Sequence, residues 1–388
     1  MNILYMGYFC NEKLFDDLVS NGSKGSHARQ QFERKLLDGI SQNMQEHKFK
    51  MISYLPLVND RFADLKGETY KNYPIVYLWC KKKITDILSC IKRNKKLIKE
   101  WVKEDDEEKI ILTYSANPLH CIPAMMLRKK YGYKIVTISS EISIHRRKEK
   151  RNPLQWLKTK VSYYLENNFD AYILLSKYMG ELVNQKNKPF IVMEGFGEVM
   201  EVPMDAPKER EKAILYAGGL SEDNGIRILV EGFKKFANPE WKLWICGAGK
   251  LEEFVKEESK TDERIQYLGV LPNPEVQKLE FQASFLINPR FSGEEYTKYS
   301  FPSKTLEYMS TGTPTIITRL KGIPEEYFEN AVVLEEETAE GVTKLLKTFD
   351  ETPYEVYSSK AKAALDKVVS KKTPSVQGAR IIGFLEEI

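Results

Sequence analysis

Short apolar runs alternate with amphipathic segments along most of the chain. In the first half, apolar runs typical of buried strands lie at 1–9, 109–114, 133–138 and 171–175, and helical spacing of apolar residues occurs at 28–39 and 123–130. The second half has strand-like runs at 213–216, 241–245, 265–268 and 285–288, and helix-like segments at 226–236, 250–258 and 274–281. This alternation predicts an α/β fold with parallel sheets and crossover helices.

The same pattern predicts two domains. Residues 195–208 mix Gly, Pro and acidic residues, which is typical of a linker. We therefore expect one Rossmann-like domain at 1–200 and another at 201–373, with their parallel sheets facing each other across a cleft. A helix within 374–388 follows, and it can cross back to the first domain. A chain of 388 residues is long enough for both domains.

The charge of the chain is uneven. Residues 1–200 carry 34 Lys and Arg against 23 Asp and Glu, whereas residues 201–388 carry 25 against 32. The basic first half predicts an anionic partner, which is nucleic acid, a membrane surface or a phosphorylated substrate. The sequence contains no nucleic-acid recognition motif, so we expect no nucleic-acid partner. Segment 81–99 is basic with apolar residues at helical spacing, which fits either a helix on anionic lipid or a solvated helix that covers the sheet.

Composition narrows the class of protein further. Hydrophobic residues make up 42% of the chain, which is too many for a disordered protein. No apolar stretch reaches the roughly 18 residues of a membrane-spanning helix, and the opening residues resemble a strand more than a signal peptide. The five cysteines and four histidines lack the spacing of a disulfide framework or a metal site. We therefore expect a cytoplasmic protein without a metal, able to bind peripherally at the inner face of the cell membrane.

The segment 301–314, FPSKTLEYMSTGTP, is the part of the sequence that most suggests chemistry. A turn opens a predicted helix at Ser303, with Lys304 in the first turn and Glu307 one turn later. One interpretation is an anion site, in which the amides of Ser303, Lys304 and Thr305 and the Lys304 ammonium bind a phosphate. The other is an ordinary helix in which Lys304 and Glu307 form an ion pair. The residues alone leave both interpretations open.

Five segments of the second half resemble the donor domain of family 4 glycosyltransferases (group 1), which have the GT-B fold. These segments are LYAGGLSEDNGIRILVEGF, WKLWICGAGKLEE, RIQYLGVLPNPEV, ASFLINPR and YSFPSKTLEYMSTGTPTI, and they span roughly 212–325 in the order of the family. Residues 1–200 resemble the family mainly in architecture. The resemblance implies two Rossmann-like domains of the GT-B type.

The resemblance also implies an activity. It implies transfer of a sugar from a nucleoside diphosphate sugar, with UDP favoured, to a hydroxyl group, with retention of configuration and no protein nucleophile. The nucleotide sugar is then a substrate, and no cofactor is expected. We expect a saccharide or lipid-linked acceptor in bacterial cell-surface polysaccharide assembly. Two alternatives stay open, an inactive GT-B partner subunit of a glycosyltransferase complex and a nucleotide-sugar epimerase of the same fold.

Candidate site residues follow from the resemblance together with the chemistry of the ligand. Lys304, Glu307 and His120 are expected to be catalytic, and His120 and Glu141 to line the acceptor site. The expected donor-binding residues are Gly25, Gly219, Asn224, Gly249, Arg290, Ser303, Lys304, Thr305 and Glu307. Glu307 matches the second Glu of the family's Glu-x7-Glu pair, and a carboxylate there is suited to accept hydrogen bonds from a ribose diol.

The chain departs from the family pattern at three positions. Tyr299 stands where the family has its first Glu. Gly219 and Asn224 stand where it has an Arg and a Lys that contact the diphosphate. We expect Lys304 and Arg290 to supply the missing positive charge.

Overall fold

The computed structural model describes residues 1–23, 25–45, 47–56, 67–80, 84–140, 153–202 and 209–388. The chain divides into two compact units. The first unit comprises Met1–Phe196 and Pro374–Ile388, and the second comprises Gly197–Thr373. The sequence pattern placed this division near residue 200. Each unit is built around its own sheet, and each is described by itself below.

The first unit is an α/β layer structure. Its strands are β1 (Asn2–Gly7), β2 (Lys48–Pro56), β3 (Gly67–Tyr70), β4 (Tyr73–Cys80), β5 (Lys109–Tyr114), β6 (Lys134–Ser139), β7 (Ala171–Leu174) and β8 (Phe190–Val192). The helices within Met1–Phe196 are α1 (Glu12–Ser20), α2 (His27–Gln42), α3 (Ile84–Val102), α4 (Pro118–Tyr131), α5 (Pro153–Glu166) and α6 (Gly180–Val183). Among the described residues the sheet order is β3-β4-β2-β1-β5-β6-β7-β8, parallel except for the pair β3 and β4.

The second unit repeats this layering with a parallel sheet. Its strands are β9 (Glu211–Ala217), β10 (Lys242–Cys246), β11 (Ile265–Gly269), β12 (Ala283–Asn288), β13 (Thr315–Thr318) and β14 (Val332–Leu334). Its helices are α7 (Ile226–Lys235), α8 (Glu252–Thr261), α9 (Asn273–Gln282), α10 (Ser303–Met309), α11 (Glu325–Phe328), α12 (Ala339–Glu351) and α13 (Tyr354–Lys371). Over the described residues the strands run in the order β11-β10-β9-β12-β13-β14, and every neighbouring pair is parallel. The last helix, α14 (Pro374–Glu387), lies in the first unit.

Both sheets contain a point where the strand order reverses. In the first unit, β1 lies between β2 on one side and β5 on the other. The chain leaves β1 toward β2 and leaves β5 toward β6, so the loops after β1 and β5 turn in opposite directions. In the second unit the corresponding neighbours are β9 and β12. Ligands of open α/β sheets bind at the carboxyl ends of such strand pairs. Both reversal points are therefore candidate sites.

Helix α4 begins five residues earlier than its sequence pattern predicts. The sequence predicts a helix start at Pro123, but the helix starts at Pro118 with Asn117 as its cap, so Pro123 lies inside it. A proline within a helix leaves the carbonyl four residues earlier without its usual donor. The Asn94 side chain from α3 fills that gap, because its Nδ2 donates to the Leu119 carbonyl at 2.9 Å. A contact between two helices thus compensates for the proline.

Helix α14 packs closely on α2 through glycine. A Cβ atom on Gly378 would lie 2.1 Å from the carbonyl oxygen of Gly39, and one on Gly39 would lie 2.0 Å from that of Pro374. Gln377 is buried, and its Nε2 donates to the Gly195 carbonyl at 2.9 Å. The apolar face of α14 joins the core of the first unit through Ile381, Ile382, Phe384 and Leu385. Backbone contact of this kind tolerates no side chain at the two glycines.

The helices of the described segments can be compared with membrane-spanning helices in length and apolar character. None of them combines the length and the apolar character needed to cross a bilayer.

Candidate functional site

The loops after β9 and β12 meet at the reversal point of the second sheet. The backbone N–H of Phe291 donates to the Asp223 carbonyl at 3.0 Å. Gly225 has a φ of +72°, and a Cβ atom there would lie 2.0 Å from the Pro289 carbonyl oxygen. The two loops are therefore in backbone contact, and glycine is required at the point of closest approach.

Gly219 and Asn224 shape the first of these loops. The Gly219 carbonyl accepts hydrogen bonds from Tyr216 Oη at 2.8 Å and from Asn224 Nδ2 at 2.7 Å. The Asn224 amide is thus used to close its own loop. Neither position supplies a positive charge, so any charge for a diphosphate has to come from elsewhere.

The turn after β10 packs against the same loop. Gly247 has a φ of +131°, and a Cβ atom there would lie 1.9 Å from the Gly218 carbonyl oxygen. Gly249 is equally confined, since its Cβ would lie 2.2 Å from the Leu220 carbonyl oxygen. The turn therefore brings its backbone directly onto the loop after β9. Gly249 lies at this edge of the sheet, and its predicted contact with the donor stays a prediction.

Lys304 and Glu307 form an ion pair on helix α10. Lys304 Nζ lies 2.7 Å from Glu307 Oε1, and both side chains are partly exposed. The simpler of the two sequence interpretations therefore describes the contact found in the structure. It does not exclude the other, because a partly exposed ammonium and carboxylate remain accessible to a ligand.

Glu280 is a third charged group at this pair, and sequence reasoning missed it. It lies in the last turn of α9, its side chain is 0% exposed, and its Oε1 lies 3.8 Å from Lys304 Nζ. Within the described part of the chain neither carboxyl oxygen has a hydrogen-bond partner. Burial and the neighbouring Glu307 charge raise the pKa of Glu280 to about 8, although Lys304 acts in the opposite direction. The signal available in the sequence was a charged residue on the buried side of a predicted helix.

Arg290 follows β12 and faces the loop after β9. Its guanidinium lies 4.9 Å from the centre of the Tyr296 ring, and its buried Nε has no hydrogen-bond partner among the described residues. Burial raises the pKa of Tyr216 well above its usual value, and the positive charge of Arg290 opposes this shift. Arg290 is therefore electrostatically close to Tyr216, the residue that closes the Gly219 loop.

Two further predicted donor-binding residues, Ser303 and Thr305, lie in α10, and Tyr299 lies shortly before it. Ser303 is exposed at the start of the helix, whereas Thr305 is buried, and its Oγ1 is buried without a hydrogen-bond partner in the described chain. Tyr299, at the position of the family's first Glu, is 5% exposed, and Lys298 lies 4.7 Å from the centre of its ring. A buried tyrosine therefore replaces the carboxylate, and its neutral hydroxyl brings no negative charge to this position.

His120 lies at the reversal point of the first sheet. Its Nε2 is 3.2 Å from the Gly7 carbonyl oxygen at the end of β1, and its Nδ1 is 3.4 Å from Asn94 Nδ2. The ring is 1% exposed, and burial lowers the pKa of His120 to about 4. The imidazole is therefore neutral at physiological pH and covered by protein. Its predicted contacts with a sugar stay a prediction.

Glu33 is a second buried carboxyl, in the first unit, that sequence reasoning missed. Its Oε2 accepts hydrogen bonds from Tyr5 Oη at 2.7 Å and from the Tyr8 amide at 2.8 Å. Burial raises the pKa of Glu33 to about 7, and these hydrogen bonds counteract the shift. A Cβ atom on Gly7 would lie 2.3 Å from the same oxygen, so the glycine makes room for it. Glu33 and His120 thus both face the end of β1.

The two remaining predicted site residues are Gly25 and Glu141. Gly25 lies in the loop between α1 and α2, where a Cβ atom would be 2.6 Å from the Phe15 ring. Packing alone accounts for a glycine at that position. Glu141 lies outside the described residues. Within the described segments, no three His, Cys, Asp or Glu side chains lie close enough together to hold a metal ion.

Comparison with protein families identifies a known domain in the second unit. Residues 211–348 match the family model described as Glycosyl transferases group 1. The comparison with curated protein sequences gives no match.

Solved structures with the same fold cover the whole chain. Sucrose-phosphate synthase from Thermosynechococcus elongatus has a TM-score of 0.67 at 14% identity, over 100% of this chain and 98% of its own. Anabaena HepE in complex with UDP has a TM-score of 0.65 at 13% identity, over 100% of both chains. An E. coli trehalose-6-phosphate protein bound with UDP-2-fluoro glucose has a TM-score of 0.67 at 10% identity, over 100% of this chain and 99% of its own. The GT-B fold expected from the sequence is confirmed, and the matches support a glycosyltransferase of the GT-B type.

Proposed function

We propose that this protein is a retaining family 4 glycosyltransferase that transfers a sugar from a nucleoside diphosphate sugar, with UDP favoured, to a hydroxyl group. The observation that carries the proposal is the partly exposed pair of Lys304 and Glu307 inside the segment that matches the group 1 family. HepE and the E. coli protein, which share the fold, are described as bound to UDP or a UDP-sugar.

The chemistry of the pair suits such a donor. A ribose diol donates two hydrogen bonds, and the Glu307 carboxylate has two oxygens to accept them. A diphosphate attracts cations, and Lys304 and Arg290 are the cations proposed for it. The diphosphate is also the leaving group, so these cations stabilise the charge that develops in the transition state. No cofactor is needed for this reaction, because the nucleotide sugar itself is the activated substrate.

We propose that the acceptor is a saccharide or lipid-linked saccharide used in bacterial cell-surface polysaccharide assembly, at the inner face of the cell membrane. The support is the excess of Lys and Arg over Asp and Glu in residues 1–200. Lys92, Lys96 and Lys99 are exposed on α3, which favours electrostatic attraction to anionic lipid. Residues 81–83, the first three lysines of the basic segment 81–99, lie outside the described residues.

The donor assignment is tested by nucleotide binding. Glu307→Ala is expected to weaken UDP binding by about 1.5–3 kcal/mol, because it removes a charged hydrogen-bond partner of the ribose. Lys304→Ala is expected to weaken UDP binding much more than uridine binding, since only UDP carries phosphates. Calorimetry with both ligands measures the two effects.

A surface ion pair in the same unit provides the control. Lys344 and Glu336 lie 3.0 Å apart and are mainly exposed. Lys344→Ala and Glu336→Ala should leave UDP binding unchanged. If Glu307→Ala binds UDP like the parent protein, the donor site has been assigned to the wrong residues.

A second candidate function is an inactive partner subunit of a glycosyltransferase complex. The observation that favours it is the absence of charge at Gly219 and Asn224, where the family has cations. Release of UDP from a UDP-sugar in the presence of acceptor distinguishes the two functions. UDP binding without any turnover would favour the inactive subunit, whereas epimerisation of the donor sugar would favour an epimerase.

A further inference from the structure

Helices α3, α4 and α5 carry most of the large apolar side chains that the described residues of the first unit expose. The helices pack side by side on the sheet, α3 on α4 and α4 on α5. The exposed side chains are Leu88, Met126, Trp156, Leu157 and Tyr164, and we call this surface the α3–α5 face. Each of them is between 53% and 62% exposed. Over the described residues, the other large apolar side chains with comparable exposure are Phe190 and five valines.

An apolar groove runs along this face between α4 and α5. Its volume is about 410 Å³, and it is lined by Ile122, Met125, Met126, Lys160, Val161, Tyr164 and Leu165. A contiguous apolar surface in contact with water is unfavourable, and such surfaces commonly mark a site of interaction. The groove is open to solvent, so a broad apolar surface can cover it.

Cations lie beside at least two of the exposed apolar side chains, Met126 and Trp156. Met126 is followed on the same helix side by Lys129 and Lys130, both exposed. On α5, the Lys160 ammonium lies 4.5 Å from the centre of the Trp156 ring. Residues three or four apart lie on the same side of a helix, so apolar groups and ammonium groups share one surface.

The charge of the face identifies its partner. The sequences of α3, α4 and α5 contain ten Lys and Arg but three Asp and Glu. Two copies of this face would repel each other, which argues against a symmetric dimer. Trp and Tyr are the side chains preferred at the boundary of a bilayer, and Lys side chains can extend from an apolar surface to lipid phosphates. The combination fits an anionic lipid bilayer.

We propose that the α3–α5 face inserts its apolar side chains into the surface of an anionic bilayer, with the Lys side chains at the level of the phosphates. This inference rests on the membrane contact proposed above and specifies how the protein makes that contact. It adds that charge alone does not hold the protein on the membrane. Met126, Trp156, Leu157 and Tyr164 are assigned to the region beneath the headgroups.

Trp156 is a natural reporter of this insertion. It is 55% exposed, whereas Trp101, Trp241 and Trp244 are each at most 4% exposed and Trp79 is partly buried. Lipids with brominated chains quench a tryptophan only when it enters the bilayer. We expect quenching of the full chain by brominated anionic vesicles and loss of that quenching in Trp156→Phe.

Vesicle cosedimentation tests which side chains hold the protein. One variant combines Met126→Ser, Leu157→Ser and Tyr164→Ser, and a second combines Lys96→Gln, Lys129→Gln, Lys130→Gln and Lys160→Gln. The matched control combines Val356→Ser and Val369→Ser, which remove exposed apolar groups from α13 of the second unit. Circular dichroism and thermal unfolding establish that each variant is folded.

Removing the apolar groups is expected to lower partitioning onto phosphatidylglycerol vesicles about tenfold or more. The control should partition like the parent protein. The Lys variant should lose the preference for phosphatidylglycerol over phosphatidylcholine. Added salt should weaken the parent's binding, because salt screens the attraction between the Lys side chains and the lipid phosphates beyond a Debye length of about 10 Å at 0.1 M.

Three results would overturn the proposal. They are equal partitioning of the apolar variant and the parent, an unquenched Trp156, and a parent dimer in solution that Met126→Ser dissociates. Calorimetry with UDP on the same variants keeps the two proposals separate. A parent protein that binds vesicles through this face but not UDP would refute the donor site alone.

Discussion

At the scale of single residues, Glu280 is a buried carboxyl group beside the proposed donor site. Its carboxyl group is buried and faces Lys304 and Glu307 of α10, with Tyr308 of the same helix and Cys246 of β10 also close enough to interact electrostatically. The Lys304 ammonium lies 3.8 Å away, so an ionised Glu280 would attract the cation that we assign to the diphosphate. A protonated Glu280 leaves that cation available.

This arrangement predicts a pH dependence of donor binding. The pKa of Glu280 is about 8, so the group holds its proton below that pH and becomes anionic above it. A bound diphosphate adds negative charge nearby and raises this pKa further, so binding above pH 8 takes up a proton. We expect the Kd of UDP to be constant between pH about 7 and 8 and to rise above pH 8, by up to about tenfold per pH unit. Calorimetry over this range measures it.

Glu280→Gln separates this effect from other titrations. Gln keeps the shape of the side chain but cannot ionise, so its Kd for UDP should stay constant above pH 8. Glu275→Gln, an exposed change on the same helix, should behave like the parent. Titration of the ligand itself affects the parent and both variants alike, so the comparison among them isolates the contribution of Glu280. A parent Kd that does not change up to pH about 9.5 would refute the assignment.

The contact between Lys304 and Glu307 could be predicted from the sequence, whereas the approach of Glu280 to them could not. Lys304 and Glu307 stand three positions apart on one helix, and that spacing is visible in any sequence. Glu280 reaches them from another helix, so its proximity arises only when α9 and α10 pack on the same sheet. Glu33 was missed for the same reason, because its hydrogen bonds are to β1 and the residue after it.

At the scale of elements, helix α4 depends on a side chain from α3. Asn94 is 0% exposed and donates to the Leu119 carbonyl that Pro123 leaves without its helical donor. Replacing Asn94 with Leu should lower the free energy of unfolding by about 1–3 kcal/mol, because a buried carbonyl then has no donor. Chemical denaturation measures this change.

A second substitution tests the stated cause. Pro123→Ala restores a backbone N–H that can donate to the Leu119 carbonyl. Asn94→Leu should therefore cost less in the Pro123→Ala background than in the parent. Equal costs in both backgrounds would show that Asn94 acts through packing and not through that carbonyl.

Several elements with apolar runs were predicted closely, but β4 (Tyr73–Cys80) was missed although its residues are mostly apolar. The strand at 109–114 and the helices in 226–236 and 274–281 agree with β5, α7 and α9 to within one residue at each end. Strand β2 was missed because Lys48 and Lys50 interrupt its apolar positions. Helix α4 was shortened because a proline usually starts or ends a helix, and only the contact with Asn94 allows one inside.

At the scale of the whole molecule, the first unit is completed by a helix that follows the second unit in sequence. The core of the first unit includes Ile381, Ile382, Phe384 and Leu385. Removing residues 374–388 should therefore destabilise the first unit and leave the second folded. Hydrogen exchange measured by mass spectrometry should show lost protection in 1–196 and unchanged protection in 211–348.

A single substitution tests the packing of α14 on α2 without removing the helix. Gly378→Ala adds a methyl group that would lie 2.1 Å from the Gly39 carbonyl, so α14 must move away from α2. The destabilisation should again be confined to the first unit. Gly383→Ala is the control, since a Cβ atom on Gly383 meets nothing within 4 Å. Equal stability of the two variants would mean that α14 is not closely docked.

The position of α14 also sets the order of events on the ribosome. Residues 1–196 leave the exit tunnel first, but the helix that covers part of their core is made only after the whole second unit. At roughly 5–20 residues per second, translating residues 197–373 takes on the order of 10–35 s. During that time the nascent first unit exposes the apolar core side chains that α14 later covers, which makes it prone to aggregation and a target for chaperones. The second unit, with no such wait, can fold before its predecessor in the sequence.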